Sequence, residues 1–139
     1  MAVFLNNKVG VKVNSVDLSD HVTSVTLNRN FEEISVTSMG DSSVKAVKGL
    51  EASSVTIDFL NDTSAASVLS TLQAAWGTTV TLVLLQDKNA AVSATNVLYT
   101  MSVLVNGTTD INGAVGDIGS MSVTWNCNST VAIATTGTF

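Results

Sequence analysis

Two side chains could carry nucleophilic or proton-transfer chemistry, His21 and Cys127, the single histidine and single cysteine of 139 residues. A nucleophile needs a base within hydrogen-bond reach. His21 falls in a Ser-Asp-His turn, whereas Cys127 ends a distant segment of alternating apolar residues, where a lone cysteine reads as a buried small hydrophobe. A zinc site asks for three or four His and Cys ligands, more than the chain holds. The run Asp110 to Asp117, with Asn112 and glycines between, has the composition of a cation loop. It lacks the alternate-position carboxylates and closing Glu of an EF-hand, so a plain loop is the economical reading. Its glycines follow no strand-to-helix phosphate pattern. Trp76 and Trp125 both fall on core-facing positions, which leaves no row of exposed aromatics for sugars. The expectation is a protein without catalysis, cofactor or metal.

Composition points toward assembly. Apolar residues make up 45% of the chain and charged residues only 12%, against a usual charged share of about 25%. Thr, Ser and Asn take the polar positions, and Thr and Val suit pleated surface. Interface cores are depleted in charge, so a sparsely charged exterior fits one that meets other subunits. The net charge of −5, from 11 acidic and 6 basic residues, gives no basic patch to grip a phosphate backbone. It does not prevent a conduit through which DNA slides. No basic-then-apolar leader and no membrane-length apolar run is evident, which predicts folding in a cytoplasm with no membrane partner.

The elements that must carry these features follow from periodicity. The stretch Val22 to Leu60 organises the chain. Val25 and Leu27 alternate with polar residues in one predicted strand, and Val55, Ile57 and Phe59 do so in another. Between them, the excursion from Glu32 to Leu50 is too long for a hairpin turn and too rich in Val, Ile and Met for an idle linker. It reads as an arm meant for another copy or another protein. Lys8 to Val13 is a half-buried strand, and Val16 to Val22 a compact corner whose Asp and Ser side chains bond backbone amides. Apolar spacing from Ala65 to Trp76 predicts one helix over 63–76, N-capped within 61–64 and ended by Gly77. Strands are expected at Thr79 to Gln86, Val97 to Asn106 and Asp117 to Asn126, with a loop at 106–119. Ser129 to Phe139 pairs as a strand or extends as a C-terminal arm; Met1 to Asn7 is an N-terminal arm or edge strand. The sum is a single mainly β domain over 1–139, with seven or eight strands and one helix. Its fold is a β-sandwich or partly closed barrel with a flanking α-helix.

Three segments resemble the major tail tube protein of long-tailed bacteriophages: V-D-L-S-D-H-V-T-S-V-T-L-N-R (Val16 to Arg29), E-I-S-V-T-S-M-G-D (Glu33 to Asp41) and K-G-L-E-A-S-S-V-T-I-D-F (Lys48 to Phe59). The following helix adds to the likeness. The resemblance implies a fold shared with the type VI secretion tube protein. It also implies homohexameric rings stacked into a tube that passes phage DNA without binding it specifically. The loop matching 32–50 would reach the neighbouring ring, through Glu32, Glu33, Ser38, Met39, Asp41, Val44, Lys45 and Lys48. The terminal arms 1–7 and 129–139 would add contacts between rings or subunits. Lumen-facing strands of such a tube should alternate acidic residues, and Asp58 alone does so on the polar face of a clear strand. Partners would be further copies and the tape measure, tail terminator and distal tail proteins, in the tail of a virion. The alternatives are a capsid decoration protein, which needs no long stacking loop, and a soluble binding module, which should display aromatics.

Overall fold

Alternation along three neighbouring strands builds the centre of the molecule. The computed structural model describes residues 8–139, so the arm expected at 1–7 lies outside the described residues. β1 (Gly10–Val13) and β2 (Val16–Asp17) lead through a 3₁₀ turn (Ser19–His21) to β3 (Val22–Asn28). Then come β4 (Phe31–Ser35), β5 (Ala46–Glu51), β6 (Ser54–Leu60), the single helix α1 (Val68–Ala75), β7 (Thr79–Leu85), β8 (Leu98–Leu104), β9 (Ser120–Asn126) and β10 (Ala132–Ala134). All pairings are antiparallel, in a five-stranded sheet β10-β8-β7-β1-β2, a three-stranded sheet β3-β6-β9 and a two-stranded sheet β4-β5. The protein is mainly β with one helix, and the barrel is not closed.

One core fills the space between the two larger sheets. Val55, Ile57 and Phe59 of β6 and Trp125 of β9 are fully buried against Val11, Val13, Leu82 and Val103 of the facing sheet. Burying such side chains contributes roughly 1.5–3 kcal/mol each. The Phe59 and Trp125 rings meet tilted, with centroids 6.3 Å apart, and the Trp125 indole N–H donates to the Gly107 carbonyl at 3.3 Å. That bond spares a polar atom the cost of dry burial. β7 lies in the middle of its sheet, and its end is buried on both faces through Leu84 and Leu85, as its two-sided apolar run predicts.

Backbone hydrogen bonds fasten the two larger sheets beyond β9. Beyond β9 the chain bends at Cys127, which bridges to Val103 of β8 while its N–H donates to the Ser53 carbonyl. Asn128 N–H then donates to the Ser102 carbonyl at 2.7 Å. On the opposite side β3 pairs with β6 alone among the described residues, and its inner residues Val25 and Leu27 are half-buried. The corner before β3 forms as read from its side chains. Asp17 accepts the Ser19 N–H at 3.0 Å, Ser19 Oγ accepts the Val11 N–H at 2.9 Å, and Leu18 is buried.

Several sequence expectations need correction. The chain has ten strands among its described residues, because the two-residue β2 and the short β10 count and because the Glu32 to Leu50 excursion is itself a hairpin. The helix starts at Val68 instead of residue 63. Ala66 adopts φ +56, a left-handed conformation that interrupts helical winding. The N-cap is Ser67, whose N–H donates to Ser70 Oγ at 3.1 Å, instead of a residue within 61–64. Trp76 is 62% exposed instead of core-facing. The helix ends at Ala75, Trp76 is already extended (ψ 129), and Gly77 turns the chain at φ +76. Helical periodicity no longer dictates where that indole points. Of the two readings of 129–139 the strand is the one that forms: β10 pairs with β8, and the Phe139 ring sits 4.6 Å beneath the Lys12 ammonium. Gly10 makes room for it, since a Cβ there would stand 2.9 Å from the ring.

Leu72 is fully buried in the helix–sheet contact, so Leu72→Ala should cost about 2–5 kcal/mol in urea unfolding; an unchanged midpoint would contradict this packing. Acid gives a second test, at the turn before the helix. Asp62 accepts the Ser64 N–H at 2.8 Å and pairs with His21 Nε2 at 2.8 Å. The Ser64 amide, then the Ser64 and Ser67 hydroxyls and to a smaller extent His21 hold its carboxyl at about 2, below the usual 3.8. A depressed carboxylate stabilises the fold above the unfolded value and loses that contribution as pH falls through the folded one. The melting-temperature deficit of Asp62→Asn should therefore be full at neutral pH and shrink as pH falls from 3.8 towards 2.

Candidate functional site: the projecting hairpin

β3 and β6 do not stop where the body ends. After Asn30, whose carbonyl accepts the Ala52 N–H at 2.7 Å, the same two chain directions continue as β4 and β5. This outer ribbon pairs Ser35 with Ala46, Ile34 with Val47 and Glu33 with Lys48, then shifts register before Phe31 meets Glu51. The shift is a bulge opposite Glu32, and Gly49 permits it. A Cβ at Gly49 would stand 2.9 Å from the Glu32 carbonyl oxygen, closer than a side chain can lie without moving the strand.

Neither face of the ribbon is covered by the body. Every β4 residue is exposed, and Phe31, Ile34, Val36, Val44, Val47 and Leu50 are all 47% exposed or more. Ile34 and Val47 form a cross-strand apolar pair. Phe31 carries the Lys48 ammonium 5.6 Å above its ring, and Lys48 also lies opposite Glu33. A bare two-stranded hairpin is at best marginally stable in water, and clustered exposed apolar residues mark an interaction surface.

The tip is ordered by its own polar groups. Asp41 accepts the Ser38 N–H at 2.8 Å and the Ser38 hydroxyl at 3.0 Å, and its other oxygen pairs with Lys45 at 2.8 Å. Lys45, then Ser38, hold the Asp41 carboxyl below its ordinary value. Thr37 Oγ1 accepts the Lys45 N–H at 2.8 Å. Gly40, at φ +91, supplies the left-handed residue of the turn, which leaves Met39 fully exposed at the apex. A flexible thioether held out on a braced turn suits an adaptable apolar contact.

The residues singled out from sequence thus gather on one ribbon, with one exception. Ser38, Met39, Asp41, Val44 and Lys45 form the tip, and Glu32, Glu33 and Lys48 the stem. Asp58 lies apart, on the outer face of β6 between Ser24 of β3 and Ser122 of β9. It is half-buried, with Oδ1 shut off from solvent. Around it Thr56 and Thr124 hydroxyls meet at 3.0 Å, so this face is a hydroxyl sheet with one carboxylate and no acidic row. Sequence reasoning missed a second exposed apolar group, Ile111, Val115 and Ile118 in the 106–119 loop. Their irregular spacing among glycines matches neither a strand nor a helix, and composition was the only available signal.

His21 is tied to Asp62, while burial first and Glu51 second push the Cys127 thiol upward, away from the thiolate a nucleophile requires. Among the described residues, no three His, Cys, Asp or Glu side chains lie close enough to share a metal ion, and no helix is long and apolar enough to cross a membrane. No protein-family model matches the chain, and no curated protein matches it in sequence.

Gly49→Val should displace the bulge and speed amide exchange across 31–51 while leaving the unfolding midpoint of the body unchanged. Equal slowing or no change in the ribbon would count against the close approach described here.

Proposed function

We propose that this protein is a structural subunit of a bacteriophage tail tube. Copies assemble into stacked homohexameric rings that make a conduit for DNA ejection, and the β4–β5 ribbon provides the contact from one ring to the next. The observation that carries this reading is the ribbon itself, a hairpin with apolar side chains on both faces, a braced tip and no cover from its own domain. Such a surface gains stability when another molecule buries it. The charge-poor exterior supports self-association, and the three segments resembling tail tube proteins supply the kind of assembly. Two of those segments form the ribbon and its root. Any share of the net charge of −5 per copy that faces the lumen would keep the conduit from retaining DNA. The tape measure, tail terminator and distal tail proteins are the expected partners at the ends of the tube.

Electron microscopy of the concentrated protein in negative stain tests the class directly. Hollow tubes, or rings of six lobes, are expected. Uniform small particles at every concentration would favour a capsid decoration protein, to be tried against purified capsids. Deleting 37–48 should leave rings or monomers without tubes, and normal tube growth by that variant would remove the ribbon from the stacking contact.

A further inference from the structure

The loop 106–119 is held against one end of the three-stranded sheet. Leu60, the last residue of β6, pairs with Ser120, and the next residue, Asn61, donates its N–H to the Gly119 carbonyl at 2.9 Å. The Asn61 side-chain amide donates to the Thr109 carbonyl at 3.4 Å, and Asn112 Nδ2 donates to the Ser120 carbonyl at 3.1 Å. From this tethered loop Ile111, Val115 and Ile118 stand out, each 75% exposed or more. The ribbon leaves from the other end of the same strand, since β5 stops at Glu51 and β6 starts at Ser54. Seven residues of β6 lie between, about 20 Å of strand. One molecule therefore carries two exposed apolar groups at opposite ends of its central strand.

The two ends also differ in charge. Positions 106–119 hold Asp110 and Asp117 and no Lys or Arg. Loop against loop would bring four carboxylates together, an arrangement that like charges penalise. At the ribbon tip the sign is reversed. Bonds from Ser38 cover the Asp41 carboxylate, which is 16% exposed, whereas its partner Lys45 is 56% exposed. The tip thus shows a cation beside Met39 and Val44, both exposed. Methionine adapts to irregular apolar neighbours, which suits a loop without strand or helix. The exposed apolar side chains of ribbon and loop together offer on the order of 1,000 Å², near the floor of a specific interface. Two different surfaces make such a contact heterologous, so it can repeat from copy to copy.

We propose that the ribbon tip of one copy docks on the 106–119 loop of the next. Met39 and Val44 pack on Ile111, Val115 and Ile118, with Lys45 towards Asp110 and Asp117. This rests on reading the ribbon as a contact between copies and adds the surface that receives it. Two full-length variants separate the halves of the contact: Met39→Asp with Val44→Asp spoils the tip, and Val115→Asp with Ile118→Asp spoils the loop. All four side chains are exposed, so melting temperatures should match the wild type. Each variant alone should lose elongation in sedimentation velocity and negative stain. When the two are prepared separately and mixed, the intact loop of the first accepts the intact tip of the second. Particles of twice the mass should form and grow no further. Elongation of the loop variant as in the wild type, or no doubled particles in the mixture, would overturn the proposal. Wild-type tubes with normal tubes from the loop variant would keep the tube and discard this contact. Doubled particles from a chain whose wild type makes single-file filaments, without tubes or six-lobed rings, would discard the tube and keep the contact.

Discussion

A two-stranded ribbon cannot bury its own side chains, and the structure turns on where that constraint is met and where it is not. Within the body, β3 and β6 lie under a facing sheet, and the row Val55, Ile57 and Phe59 is dry. Past Asn30 and Ala52 the same pair runs on without a facing layer, and Phe31, Ile34 and Val47 stay wet. One continuous hairpin is thus half core and half exposed ribbon. The body anchors the root of the ribbon more firmly than hairpin propensity could. Glu51 adds to the anchor by accepting the Val131 N–H at 2.8 Å from the C-terminal segment.

Local chemistry then shapes the exposed half. The bulge at Gly49 lets the ribbon change register without breaking, and bulges raise local twist. At the far end the Ser38–Asp41–Lys45 cluster replaces the missing tertiary support with short polar contacts. Exposed pairs of this kind stabilise little on their own. Their use here is geometric, since they fix where Met39 points. The ribbon is therefore a surface shaped before any partner arrives, which lowers the ordering cost of association.

Much of this was legible in the sequence, for a physical reason. Period-two patterns at Val55 to Phe59 and Met121 to Trp125 can be satisfied only by strands with one dry face, and the buried rows fall on those residues. The Val, Ile and Met content of the long excursion marked it as more than a linker, but its hairpin form was not legible. Phe31 to Ser35 and Ala46 to Glu51 alternate weakly, because with no core on either side nothing selects one apolar face. Trp76 was misplaced because periodicity carries no information about where a helix stops; a left-handed glycine one residue later decides that. The C-terminal segment left a strand or an arm open, and the strand forms; the Phe139 ring packed on Gly10 joins positions too far apart in the chain for any local pattern to announce.

The seam at Cys127 has a mechanical meaning. A sandwich joined by backbone hydrogen bonds along one side, and by side-chain contact elsewhere, resists shear and stretching at the seam but is compliant in opening, like a book along its spine. Opening of the layers is therefore easiest at the β3 side, where it breaks no ladder among the described residues. Because β3 is also the root of the ribbon, opening at that side turns the ribbon against the body.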